Sequence, residues 1–173
     1  DKRTFGDYIG HHGMVMEKGL PNTATLLVRR SSGHVYDLVN HQQMPVISNS
    51  RGLQFDASFE PGGGRLFMIT DQRIESIKIS VRYRQFIGRT VEFTVSVDDE
   101  SGKSVQAVVP MKLEIHDRKG RPSEVNGHYG VKDGRMFLQY ELAPNDLNGE
   151  YTIRATELAS RKTGVAVFRA IQK

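Results

Sequence analysis

Val91-Glu92-Phe93-Thr94-Val95-Ser96-Val97 alternates apolar and polar side chains without a break. Successive side chains of a strand point to opposite faces, so this stretch reads as a half-buried β-strand with its apolar residues turned to a core. The same period of two recurs at Ile77, Ile79 and Val81, at Met111, Leu113 and Ile115, over 137–142, at Tyr151, Ile153 and Ala155, and over 164–171. Six strands are therefore expected after Ile74. Turn formers separate them: Asp98 to Gly102, Asp117 to Gly120, Asn126-Gly127, Asp133-Gly134 and Asn148-Gly149, each able to supply a positive φ or an Asx turn. Short strands with frequent turns predict a β-sandwich.

Upstream, strands are expected over 25–30, 34–39, 52–59 and 64–70, with Ser31-Ser32-Gly33 as a hairpin turn. Gly and Pro recur too often for long helices, and β-branched and aromatic residues crowd the periodic segments, so little helix is expected. Gly6, Gly10, Gly13, Gly19 and Pro21 break every run in 1–23, which reads as an irregular segment packed on a neighbour or on a further domain. The fold class is all-β, with two tandem immunoglobulin-like β-sandwich domains.

The chain has 173 residues, 38% of them hydrophobic, and 24 Lys plus Arg against 20 Asp plus Glu give a net charge of +4. Whole-chain disorder and collagen are excluded by this composition. Residues 1–75 carry 8 basic and 8 acidic side chains and 76–173 carry 16 and 12, so the whole excess lies in the second part. The boundary is placed near Asp71 to Glu75, dividing a portion 24–75 from an immunoglobulin-like unit 76–173. No Pro/Ser-rich linker marks it, which implies an ordered interface between the two. Cys is absent, removing disulfides, thiolate nucleophiles and Cys-based zinc sites. No stretch approaches 18 consecutive apolar residues, so no membrane partner is expected. The first residue is Asp1 rather than Met, which suggests a processed product or a piece of a longer protein whose targeting signal lies upstream.

Residues with chemical potential are scattered. His11-His12, with His34 and His41 further on, stands in no H-E-x-x-H or similar spacing, and hydrogen-bonding or exposed imidazoles are expected rather than a metal site. The consecutive acids Asp98-Asp99-Glu100 point in different directions and read as a solvated hairpin rather than a Ca²⁺ loop. Glu114 with Asp117, or Asp133 with Glu141, shows no spacing that sets two carboxylates across a cleft for glycoside hydrolysis. Pro61-Gly62-Gly63-Gly64 is followed by no Gly-Lys-Ser/Thr, and no G-x-S-x-G elbow occurs. No catalytic, cofactor-binding or metal-binding residue is expected.

Arg82-Tyr83-Arg84-Gln85-Phe86 interleaves basic and aromatic residues as nucleic-acid grooves do. The run continues the strand of Ile79 and Val81, which would put Tyr83 in the core, and the charge is small, so nucleic acid is not expected. Sugar binding asks for aromatic faces beside Asn, Asp, Arg or His. Trp is absent, and Tyr140 and Tyr151 fall in alternating strands, leaving Tyr129, between Gly127 and Gly130, as the best exposed candidate. Tyr129 and His128 are the predicted carbohydrate-binding residues, with polysaccharide as the implied partner.

Leu26-Leu27-Val28-Arg29-Arg30, Val35-Tyr36-Asp37-Leu38, the strand from Phe55 to Phe59, and Pro61-Gly62-Gly63-Gly64-Arg65-Leu66-Phe67 together resemble the β-domain that follows the catalytic barrel in bacterial beta-galactosidase-like glycoside hydrolases. In the second part, Val109 to Asp117, Gly120, Asp133-Gly134, Asn145-Asp146 and Gly149-Glu150-Tyr151-Thr152-Ile153 resemble the immunoglobulin-like domains of bacterial alpha-2-macroglobulin-like and surface proteins. The resemblance implies a non-catalytic accessory module, exported from the cytoplasm, with the remaining domains of a parent protein as partners. It carries no catalytic residue across, because the family's acid and nucleophile belong to the barrel. A carbohydrate-binding module is the alternative.

Overall fold

The computed structural model describes residues 20–172, and among these no helix occurs. The fold is all-β and is built of packed sheets. Its decisive strand is β9 (Thr90–Asp98), in which Val91, Phe93, Val95 and Val97 are all buried, as the alternation requires.

The larger sandwich runs from β7 (Ser76–Val81) through β8 (Arg84–Phe86), β9, β10 (Val108–His116), β11 (Gly127–Lys132), β12 (Arg135–Glu141) and β13 (Gly149–Glu157) to β14 (Thr163–Ile171). β7, β9 and β12 pair antiparallel in one layer, while β11, β10, β13 and β14 pair antiparallel in the other, with β8 added parallel to β14. Among the described residues, the strand ladder passes from one layer to the other through the β11–β12 hairpin, at Lys132 and Arg135. Its turn, Asp133-Gly134, has φ of 51° and 72°, both positive as a type I′ turn demands. At the opposite side β7 closes against β14, where Gly164 lies so near that a Cβ would stand 2.6 Å from the Ile77 carbonyl oxygen. Phe93, Met111, Leu113, Ile115, Ile153 and Phe168 fill the core between, each worth roughly 1.5–3 kcal/mol of apolar burial.

The preceding residues form two three-stranded sheets. β1 (Asn22–Val28), β5 (Gly52–Phe59) and β4 (Ile47–Asn49) make one, in the order β1-β5-β4; β3 (Gln42–Gln43), β2 (His34–Asp37) and β6 (Phe67–Thr70) make the other, in the order β3-β2-β6. Val35, Leu53 and Phe55 are buried between them, with the Phe55 and Phe67 rings edge to face at 5.0 Å.

Three readings of the sequence are corrected. Ser31-Ser32-Gly33 is not a hairpin turn, because β1 pairs with β5 and β2 with β6, so this segment carries the chain from one sheet to the other. Eight strands follow Ile74 rather than six. The two unforeseen ones are β8, three residues long, and β11, which begins at Gly127 where a turn was expected. Tyr83 is 51% exposed rather than in the core, because the chain leaves β7 at Val81 and crosses to the other layer before β8. The irregular segment 1–23 lies almost wholly outside the described residues.

Candidate functional site

The sheet formed by β3, β2 and β6 packs against a core on each face. On β2, Val35 enters the smaller core while Tyr36 enters the larger one; on β6, Phe67 and Ile69 face the smaller core and Met68 the larger. Period-two alternation thus makes a single sheet serve two cores. The Tyr36 hydroxyl accepts the Ile74 N–H at 2.8 Å and bonds the Thr70 side chain, and burial pushes its phenol pKa up. Around it, the Leu158 carbonyl accepts from His41 Nδ1, and Gln72 Oε1 accepts the Gln106 N–H at 3.2 Å. At the rim, Arg73 meets Glu100 at 2.8 Å and Lys162 meets Glu75 at 3.2 Å. Such rim pairs contribute little; the sheet and its satisfied polar groups hold the joint.

Acidic side chains are consumed at strand ends. Glu157, fully buried at the end of β13, accepts N–H bonds from Ala159 at 2.7 Å, Ser160 at 2.9 Å and Lys162 at 2.9 Å, and also takes the Ser160 hydroxyl. Asp37 closes the turn after β2 through the Val39 and Asn40 N–H groups. Asp99-Glu100-Ser101-Gly102-Lys103 and Asp117-Arg118-Lys119-Gly120-Arg121 are the same loop built twice. In each, the Asp carboxylate accepts the N–H two and four residues on, and the Gly takes a φ near 78° or 77°. The Ser101 hydroxyl, then the Lys103 N–H, lower the Asp99 pKa; at Asp117 burial works upward but the bonds from Arg121 and Lys119 outweigh it. Asp98 instead turns to Lys78 at 2.8 Å and Glu100 to Arg73, so the three consecutive acids diverge.

An open polar hollow at one end of the sandwich gathers Asp117, Arg121, Ser123, Tyr140, Asp146 and Tyr151. Its groups are already engaged. Tyr151 donates to the Leu147 carbonyl at 2.9 Å and stacks on Phe168 at 5.0 Å, the tyrosine-corner arrangement of immunoglobulin-like sandwiches. Burial, then the nearby Asp146 charge, push its phenol up to about 12. Asp146 accepts the Ala143 N–H at 2.8 Å. Among the described residues, no buried side-chain polar atom lacks a partner, and no three acidic or imidazole side chains gather as a metal site would need. His11 and His12 lie outside the described residues.

Tyr129 and His128 are not brought together. They are consecutive on β11 and point to opposite faces: His128 is exposed beside Lys112, whereas Tyr129 is half-buried against the larger core, its hydroxyl donating to the Val125 carbonyl at 2.6 Å. Among the described residues the most exposed aromatic ring is Phe137, 59% exposed on β12, ahead of Tyr83 and of Phe86 on β8. It borders an open groove of about 270 Å³ with Ser80, Arg82, Gln85, Glu92 and Thr94. Alternation puts Phe137 on the face opposite Met136 and Leu138, and the packing of Leu138 and Tyr140 against the larger core shows which of the two faces is the outer one.

No protein-family model matches this chain, and no curated protein matches it. Solved structures similar to it include a glycosyl hydrolase family 2 member from Bacteroides cellulosilyticus, at 13% identity and TM-score 0.47, covering 94% of this chain and 24% of that one. Escherichia coli alpha-2-macroglobulin is similar at 9% identity and TM-score 0.42, over 90% of this chain and 16% of its own. The CARDB domain of a Pyrococcus furiosus protein is similar at 15% identity and TM-score 0.38, over 56% and 86%. Likenesses this remote carry no functional argument, which rests on the geometry above.

Proposed function

We propose that this chain is a non-catalytic β-sandwich module of a larger exported glycoside hydrolase, in which it acts as a rigid spacer. The observation that carries the reading is the two-faced sheet of β3, β2 and β6. A sheet whose opposite faces belong to two cores cannot rotate against either without exposing one, so portions 24–75 and 76–173 move as one body. The carboxylates support the same reading: Asp37, Asp99, Asp117 and Glu157 each close a turn, which leaves them unavailable as acid or base.

The test has two arms. Urea unfolding followed by fluorescence of tyrosine and by backbone circular dichroism should give one coincident transition, and chromogenic glycosides should not be turned over. Two separated transitions, or turnover by the purified chain, would remove the proposal. In the parent protein, deleting the module should lower the melting temperature and leave the chemistry largely intact.

A further inference from the structure

The outward face of the β7-β9-β12 layer is almost uniformly polar. By the strand register, Lys78 and Ser80 of β7, Glu92, Thr94 and Ser96 of β9, and Arg135, Gln139 and Glu141 of β12 all point away from the core. Phe137, opposite Thr94, is the one large apolar side chain among them, and it stands at the groove rather than elsewhere on the face.

The groove has a topological cause. β7 ends at Val81, opposite Phe93, and the chain then departs for β8 on the other layer, so β9 continues through Glu92 to Thr90 with no strand beside it on that side. Arg82, from the crossing segment, and Gln85, on β8 with its amide donating to the Arg82 carbonyl at 2.8 Å, form the far wall. Glu92 accepts from Gln139 at 3.1 Å, which fixes one carboxylate oxygen and leaves the other free.

We infer that this groove binds a neutral polysaccharide chain, with the Phe137 ring stacking on a sugar face and Arg82, Gln85, Glu92 and Thr94 meeting its hydroxyls. An aromatic face takes the apolar side of a pyranose ring, and side chains around it supply donors and acceptors for hydroxyls. Charge selects the class. Arg82 and Glu92 cancel, so neither a polyanion nor a polycation is favoured. The unpaired stretch of β9 spans only three residues, too short to hold an added peptide strand. The groove is open, which suits a chain passing across it.

The experiment is titration of the ¹⁵N-labelled chain with cellohexaose, xylohexaose, mannohexaose and β-1,4-galactohexaose, beside oligogalacturonate and an eight-residue strand-forming peptide. At least one neutral hexaose should shift the amides of Thr94 and Phe137, with Phe137→Ala weakening it about tenfold or more at unchanged melting temperature. Tyr129→Ala serves as control: it should lower stability but leave the affinity of the folded fraction intact. The inference is overturned if no neutral hexaose binds at about 10 mM, if only oligogalacturonate or the peptide binds, or if the affinity survives Phe137→Ala. Those outcomes leave the rigid-spacer reading standing, because that reading is decided by unfolding and turnover.

Discussion

The Tyr36 hydroxyl accepts the Ile74 backbone N–H at 2.8 Å, and both residues are fully buried. This bond ties β2 to the segment that leads into β7. Tyr36→Phe keeps the ring and strands the N–H, so a loss of about 1–3 kcal/mol is expected in urea unfolding. Amide exchange at Ile74 should quicken with it. An unchanged midpoint would mean that the joint is held by packing alone.

Glu157 is surrounded by donors, four from three residues, and is fully buried. Glu157→Gln preserves shape but turns an amide NH₂ toward N–H groups that have no acceptor left. A loss of about 1–3 kcal/mol is expected, with the 157–162 turn exchanging amides faster than the strands around it. Equal stability of the variant would show that the carboxylate is not what closes this turn.

Such features differ in how far the sequence reveals them. β5 could be placed over 52–59 and β9 within 90–98 because alternation is a local signal, carried by each strand's own residues. Partners are not local: nothing in Ser31-Ser32-Gly33 tells that β1 will seek β5, since register depends on residues thirty positions away. β8 was hidden because three residues cannot display a period, and β11 because Asn126-Gly127, at its start, read as a turn. Misplacing β11 also misplaced Tyr129, whose neighbouring glycines expose backbone rather than the ring. Phe137 was legible as a strand residue but not as a surface one until the faces of β12 were fixed by Tyr140 and Leu138 pointing inward.

Alkali should unfold this protein. Burial raises the phenol pKa of Tyr36, Tyr140 and Tyr151, the last to about 12, against an ordinary value near 10. A phenol whose folded pKa exceeds its unfolded one contributes stability that is fully present below about pH 10 and is lost as pH rises toward the folded value. Melting temperature should therefore be flat up to about pH 9 and fall between about pH 10 and 12. Tyr151→Phe should start lower, by about 1 kcal/mol for the lost bond to Leu147, and fall less steeply. A parallel decline in the two proteins would place the alkaline sensitivity elsewhere.

Gly164 decides whether the sandwich can close. A methyl group there would stand 2.6 Å from the Ile77 carbonyl oxygen and 3.0 Å from its carbon, contacts that real side chains do not sustain. Because the obstacle is backbone, no rotamer change relieves it, and Gly164→Ala must push β7 and β14 apart. A penalty of about 1–3 kcal/mol is expected, comparable to overpacking a core. Gly164→Val should cost more than Gly164→Ala, even though valine favours strands, because the steric term grows while propensity changes the other way. Thermal unfolding of both variants tests the order. If valine proved the better tolerated, strand propensity would outweigh the approach of β7, and the closed edge would be looser than the structure has it.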